Sequence, residues 1–292
     1  MLNNTGSKKM AFRAANIALI ALLTAASLLA GCTAAKKSPI TVISREEGSG
    51  TRTAFVEILG ILDDAKNDAV VQSAEVTNNT AVMMTSVADD KSAIGYISMG
   101  SLNDSIKALK IDGASPDAAN VKSGAYKIAR PFNLVTRDNL SPAARHFINF
   151  ILSAEGQDVI AKNGYLPLDS VDKEVLPFSA GVKVVVAGSS SVSPLMEKLR
   201  EAYIAKYPGV DVEIQQSDSS TGVNSVTGGI CDIGMASREL KASEIEKGVS
   251  PVSIAIDGVA VIVNRQNPFD DLSQEQVRDI YLGEIRDWSE LE

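Results

Sequence analysis

The sequence predicts an α/β fold built as two lobes, and three observations lead there. Four runs of strand character each lead into a loop rich in serine, threonine or glycine, and helix-period stretches recur after them. The chain has 292 residues, enough for two lobes once a leader is removed. It is 45% apolar, with both signs of charge dispersed, which is the composition of a globular body.

In the first such unit, Ile40-Thr41-Val42-Ile43 reads as a strand, and Ala54, Phe55, Ile58 and Leu59 recur at helical spacing. Between them lies Ser44-Arg-Glu-Glu-Gly-Ser-Gly-Thr-Arg52. Ser49, Gly50 and Thr51 fall where the first N–H groups of a helix have no partner. Those donors, the positive end of the helix dipole and two hydroxyls therefore converge on one point. Gly48 and Gly50 let the backbone approach a ligand without a Cβ in the way. With Arg45 beside them, the loop suits a small oxyanion. The competing reading is an ordinary strand-to-helix loop with a solvated arginine.

The second unit begins with a strand at residues 182–186 and turns through Ala187-Gly-Ser-Ser-Ser-Val-Ser-Pro194. Ser193 is placed as an N-cap and Pro194 as the first helical residue. Leu195, Leu199, Ala202 and Tyr203 form the buried face of that helix, which ends before Pro208-Gly209. Val210, Val212 and Ile214 then alternate along a strand leading to Ser217-Asp-Ser-Ser-Thr-Gly222, and Ile230-Cys-Asp-Ile-Gly234 leads to Met-Ala-Ser-Arg238. Taken singly, each loop reads more readily as a helix cap than as a ligand site. Four of them after four strands point to a ligand, because open α/β sheets bind at the carboxyl ends of their strands.

Lys8, Lys9 and Arg13 precede an uncharged stretch at residues 14–35 that closes with Leu29-Ala-Gly-Cys32. A basic region, an apolar core and small residues before a cut form an export signal, here residues 1–31. The alternative is an uncleaved membrane anchor, for which the apolar core is slightly short. Residues 32–38 then form a tether, and seven extended residues reach roughly 25 Å. Without the leader, 25 basic residues stand against 36 acidic ones, a net charge of −11. Such a surface excludes nucleic acid, which needs a basic footprint. It still admits an anion where an arginine and local dipoles dominate. Cys231 is the only other cysteine besides Cys32, so there is neither an internal disulfide nor metal-type cysteine spacing.

Five segments together carry a family resemblance. They are Ala187-Gly-Ser-Ser-Ser-Val, Asp232-Ile-Gly-Met-Ala-Ser-Arg-Glu-Leu240, Ile256-Asp-Gly-Val-Ala-Val-Ile-Val-Asn264, Ser44-Arg-Glu-Glu-Gly-Ser-Gly-Thr51 and Ala93-Ile-Gly-Tyr96. Across nearly all of the mature chain they resemble the phosphate-binding lipoprotein of the phosphate-specific ABC transporter. The resemblance implies a lipid on Cys32 and a two-lobed periplasmic-binding-protein fold of type II with a hinge. It further implies a monomer, without cofactor, that clamps inorganic phosphate outside the cytoplasmic membrane and delivers it to an ABC permease.

The order of the segments differs from the family's, where the Gly-Ser-Ser-Ser piece comes near the start and the Arg-Glu-Glu-Gly-Ser-Gly-Thr piece follows the Asp-Trp-Ser stretch. Here Asp287-Trp-Ser289 lies at the end of the chain. The order is that of a circular permutant, which requires Ile40 and Leu291 to lie close together. An artefact of gene assembly is the other source of such an order. Residues 39–101 with 257–292 are then expected to form a split lobe, and 102–256 a continuous one. The run at 252–264 reads as a strand crossing between them, with Gly95-Tyr96-Ile97 and Arg130-Pro131-Phe132 bracketing the return.

By resemblance, phosphate meets Ser190, the Ser191 amide, Ser219 and Ser237 from the continuous lobe, and Arg45, Ser49, the Gly50 amide and Thr51 from the split lobe. A planar guanidinium suits a tetrahedral oxyanion because it gives two parallel hydrogen bonds. Micromolar binding needs about 8 kcal/mol, and charge-assisted hydrogen bonds contribute about 1.5–3 kcal/mol each, so eight donors leave room for closure costs. Glu47 is placed to orient Arg45, or else is solvated. Arg238 is either a second cation near the ligand or a surface residue. Some family members carry an aspartate near the Ser237 position, which accepts a proton from hydrogen phosphate and repels sulfate. Here Asp218 or Asp257 would have to supply that acceptor, or else they are a helix cap and a turn residue.

Other classes fit less well. The single histidine, His146, sits in a helix-like run with no Gly-x-Ser-x-Gly elbow, which disfavours a serine hydrolase. A Gly-x-x-x-x-Gly-Lys loop and clustered His or Cys ligands are missing from the sequence, and 5% aromatic content leaves few rings for stacking sugars. The alternatives that stay open are a surface lipoprotein with a non-transport role, as an adhesin, scaffold or anion sensor, and a binder of another tetrahedral oxyanion such as sulfate.

Overall fold

The structure is a computed structural model that describes residues 38–168 and 183–291. The leader, Cys32 and all but the last tether residue lie outside the described residues. Residues 39–292 form one compact unit.

In chain order the elements begin with β1 (Thr41–Arg45), α1 (Gly50–Leu59), β2 (Glu75–Thr77), α2 (Thr80–Asp89) and β3 (Ala93–Ser98). The short pieces β4 (Lys107–Ala108), β5 (Lys110–Ile111) and α3 (Ala118–Ser123) follow, then β6 (Ala129–Thr136), α4 (Pro142–Leu152), α5 (Ala154–Lys162) and β7 (Leu166–Pro167). The remainder comprises β8 (Lys183–Ser189), α6 (Ser193–Lys206), β9 (Asp211–Ser217), α7 (Ser219–Thr227), β10 (Ile233–Ala236), α8 (Ala242–Ile245), β11 (Ser250–Val263), β12 (Asp271–Leu272) and α9 (Gln274–Leu282).

The main sheet runs β2-β1-β3-β11-β6-β10-β8-β9. Its outer parts are parallel: β1 pairs β2 and β3, and β8 pairs β9 and β10. Its middle is antiparallel, because β11 runs against both β3 and β6. The 14 residues of β11 do the joining. Residues 250–258 pair with β6, and 259–263 pair with β3. The crossing strand expected at 252–264 is therefore present.

Two separate cores hang on this sheet. The first gathers Ile43, Phe55, Tyr96, Val261, Ile280 and Tyr281. The second gathers Phe147, Phe150, Val186, Leu199, Tyr203 and Ile254, with a satellite around Ala187, Val223, Val226 and Cys231. Period-two alternation along β8 explains the satellite: Val184 and Val186 point to the second core, while Val185 and Ala187 point to the other face.

Two expectations need adjustment. The sequence puts the boundary between lobes at 101/102, yet Ile106, Leu109, Ile111, Val121, Tyr126 and Ile128 belong to the first core. They are drawn there by two-residue strands: β4 pairs Ile262 and Val263, and β5 pairs β12. Strands so short leave no periodic signal. By packing, the change of core falls at β6. Ser193, expected as an N-cap, is instead the first residue of α6, and its hydroxyl donates to the Ser189 carbonyl at 3.0 Å.

The two ends of the body meet. Ile40 N donates to the Arg286 carbonyl at 2.9 Å, Pro39 bridges Asp287, and Ile40 and Leu291 pack on the same core.

Candidate functional site

Four loops at the carboxyl ends of strands converge between the two cores. After β1, Glu46 N donates to the Thr77 carbonyl at 2.9 Å, and the chain then turns at Gly48, whose φ of 91° favours glycine. Ser49 caps α1 by accepting from Arg52 N at 3.4 Å. After β8 the loop carries Ser190 and Ser191, after β9 Asp218 caps α7, and after β10 come Ser237 and Arg238.

All eight residues expected at the anion site come together there, and all are buried. Arg45 Nη2 donates to Ser190 Oγ at 3.0 Å, and the Thr51 and Ser191 hydroxyls share a hydrogen bond of 2.7 Å. Each contact joins a residue of the first-core side to one of the second-core side. Ser220 N adds a third such link by donating to the Gly48 carbonyl at 3.2 Å. Gly50 faces the remaining pair: a Cβ built there would lie 2.3 Å from Ser219 Oγ and 2.7 Å from Ser237 Oγ. Only glycine permits so close an approach.

Arg45 is 1% exposed. Its Nε and Nη2 donate in fork fashion to Glu46 at 2.8 Å each. Its Nη1 is buried with no hydrogen-bond partner. An unpaired arm of a buried guanidinium costs desolvation energy that an anion would offset. The carboxylate that orients Arg45 is thus Glu46, whereas Glu47 is exposed.

The aspartates considered as proton acceptors are engaged elsewhere. Asp218 accepts from Thr221 N at 2.9 Å and from Thr221 Oγ1 at 2.5 Å, as a cap. Asp257 accepts from Arg130 and Ser98. Its burial, which outweighs the neighbouring Arg130, pushes its carboxyl up to about 6. Arg238 is buried rather than superficial: it forks onto Glu244 at 2.8 Å and reaches Ser220 Oγ at 3.1 Å. His146 Nδ1 shares a 2.7 Å hydrogen bond with the Tyr203 hydroxyl among aromatic rings, far along the chain from the loops.

Sequence reasoning missed several supporting residues. Tyr96 hydrogen-bonds Ser44 Oγ at 2.8 Å and accepts from Arg45 N at 3.1 Å, while its ring stacks on Phe55. Arg130 Nη1 donates to the Ser237 carbonyl at 3.1 Å, and Asn133 Nδ2 to the Arg238 carbonyl at 3.0 Å. An isolated tyrosine or arginine within a strand gives no sequence cue to such a role. At the edge of the cluster, a cavity of about 940 Å³ opens beside the loop, lined by Glu47, Ser49, Arg52, Asp218 and Lys241 among others.

Comparison with known proteins places this arrangement. The family model of the PBP superfamily domain matches residues 15–155 and 177–292. The phosphate-binding protein PstS 2 of Streptococcus agalactiae serotype V is 52% identical over 273 residues, covering 90% of this chain and 93% of that protein. The crystal structure of a phosphate-binding protein of a phosphate ABC transporter from Streptococcus pneumoniae TIGR4 is 42% identical, with a TM-score of 0.68, covering 87% of this chain and all of that one. PstS of Bacillus subtilis is 33% identical over 135 residues, 46% of this chain and 43% of that protein. With matches of this extent, the chain belongs to the PBP superfamily and, within it, to the PstS family of phosphate-binding proteins.

Proposed function

We propose that this protein binds inorganic phosphate between its two cores and delivers it to an ABC permease, held at the outer face of the cytoplasmic membrane by a lipid on Cys32. The observation that carries the reading is the unpaired, buried Nη1 of Arg45, whose Nη2 donates to Ser190 Oγ beside the buried, hydrogen-bonded hydroxyls of Thr51 and Ser191. The names of the streptococcal relatives support the ligand and the transporter. Since one anion would touch loops from both cores, its binding favours the shut arrangement over an open one. Calorimetric titration of the body from Lys36 onward tests this. Micromolar or tighter phosphate binding, lost in Arg45→Ala, is expected; a folded sample giving no heat would end the reading.

A second reading, sulfate or another tetrahedral oxyanion, is favoured by one observation: both candidate carboxylates are already engaged, Asp218 as a cap and Asp257 with Arg130. Sulfate in the same titration decides between them. The permuted order is also part of the proposal. The meeting of Ile40 with Arg286 supports it, and the streptococcal PstS 2, aligned over 90% of this chain and 93% of its own length, shares this order, which speaks against an artefact of gene assembly.

A further inference from the structure

The strands that join the cores carry a buried chain of polar contacts ending on the anion site. Arg130, near the start of β6, stands directly opposite Asp257 in β11, and their side chains are 1% and 0% exposed. Arg130 Nε and Nη2 donate to Asp257 Oδ2 at 3.2 and 3.0 Å. Ser98, the last residue of β3, donates to Asp257 Oδ1 at 2.8 Å. The remaining arm, Nη1, donates to the backbone oxygen of Ser237 at 3.1 Å. All three corners of the planar fork are therefore used, which a lysine would not reproduce.

Ser237 lies at the far end of this chain. Its amide donates to Ser219 Oγ at 3.1 Å, and its hydroxyl accepts from Ser189 Oγ at 3.0 Å. Its place therefore decides where two hydroxyls of the site stand. Burial, opposed by Asp257, pushes the Arg130 guanidinium down from the usual range, and the field of Arg45 adds to this to a lesser extent.

We propose that Arg130 is a positioning residue for phosphate: clamped by Asp257 and Ser98 at the strands joining the two cores, it holds the Ser237 carbonyl and so sets the Ser237 and Ser219 hydroxyls against the ligand. The proposal rests on the phosphate reading of the site. It makes the joining strands part of the binding apparatus and not a passive hinge.

The test is phosphate calorimetry on the body from Lys36 onward, at a temperature where each variant is folded by circular dichroism. Arg130→Gln is expected to weaken phosphate at least about tenfold, the effect of one charge-assisted hydrogen bond. Arg130→Lys should not restore it. Because Arg130→Gln strands a buried carboxylate and risks unfolding, the paired variant Arg130→Gln/Asp257→Asn removes both charges and should show the same loss. Ile151→Val, which thins the second core away from the site, should lower stability and leave affinity unchanged. Arg130→Gln combined with Ser237→Ala should bind no more than about twofold worse than the weaker single variant, since both act through one group. Folded Arg130 variants that bind within about twofold of the parent overturn the proposal, as do single losses that multiply. A parent chain that binds no phosphate removes the underlying reading, and the proposal falls with it.

Discussion

Arg45 and Asp257 are both buried charges, and their surroundings treat them differently. Arg45 is 1% exposed, forked onto a half-buried Glu46, and keeps one arm unpaired. Asp257 accepts from Arg130 and Ser98 and still has its carboxyl pushed up to about 6 by burial. An aspartate in the unfolded chain titrates near 4. Between about pH 6 and 4 the folded protein therefore holds a proton that the unfolded chain lacks. The contribution of this group to stability grows as pH falls through that window and is lost as pH rises through 6. Urea unfolding of the parent and Asp257→Asn at pH 7 and pH 5 isolates it, because other carboxylates titrate alike in both. The parent should gain on Asn by about 1 kcal/mol between pH 7 and pH 5; a loss would mean that Arg130 stabilises the carboxylate more than burial opposes it. Residue types and spacing made Arg45, Ser49 and Thr51 legible from sequence. They did not reveal whether Glu46 or Glu47 pairs with Arg45, since that depends on Glu46 N bonding the Thr77 carbonyl and directing residue 47 to solvent.

At the scale of elements, periodicity identified those long enough to carry it. The apolar spacing of 54–59 gave α1, alternation gave β9, and an apolar run gave β11. The two-residue strands β4, β5, β7 and β12 have no period to read, which is why the packing of residues 106–128 on the first core leaves no mark in the sequence. The start of α1 shows what an element contributes to the site. Ser49 caps it, its free amides face the cluster, and Gly50 brings backbone against Ser219 and Ser237. Alanine at position 50 would not harm the helix, since alanine is favoured over glycine by up to about 1 kcal/mol. Its Cβ would nevertheless fall 2.3 Å from Ser219 Oγ and 3.1 Å from Ser219 Cβ. Rotating that hydroxyl away would cost the bond from Ser237 N. Gly50→Ala should therefore lose at most about 1–2 kcal/mol of stability, the helix gain partly offsetting the lost bond, yet bind phosphate at least about tenfold more weakly. Unchanged affinity would show that the loops meet with more slack than these contacts imply.

At the scale of the whole molecule, the chain order is separable from the fold. The sheet passes from one core to the other through β11 and β6, so both cores depend on contacts made far apart in sequence. The ends of the described body lie on one core, where Ile40 N meets the Arg286 carbonyl and Pro39 bridges Asp287. A peptide link there would replace contacts already formed and need cross no part of the sheet. A rearranged chain can thus begin at Lys183, run to Leu291, continue through a short glycine-serine linker into Pro39 and end at Leu168. It retains every strand pair of the main sheet among the described residues and all four loops of the site, which lie within residues 39–168 and 183–291. Its phosphate affinity should stay within about threefold of the parent, and its unfolding should remain cooperative. Contact order changes, so folding rate is the quantity free to move. If the rearranged chain folds but binds phosphate far more weakly, the order of the two halves is itself a requirement of the site, and the permutation reading fails.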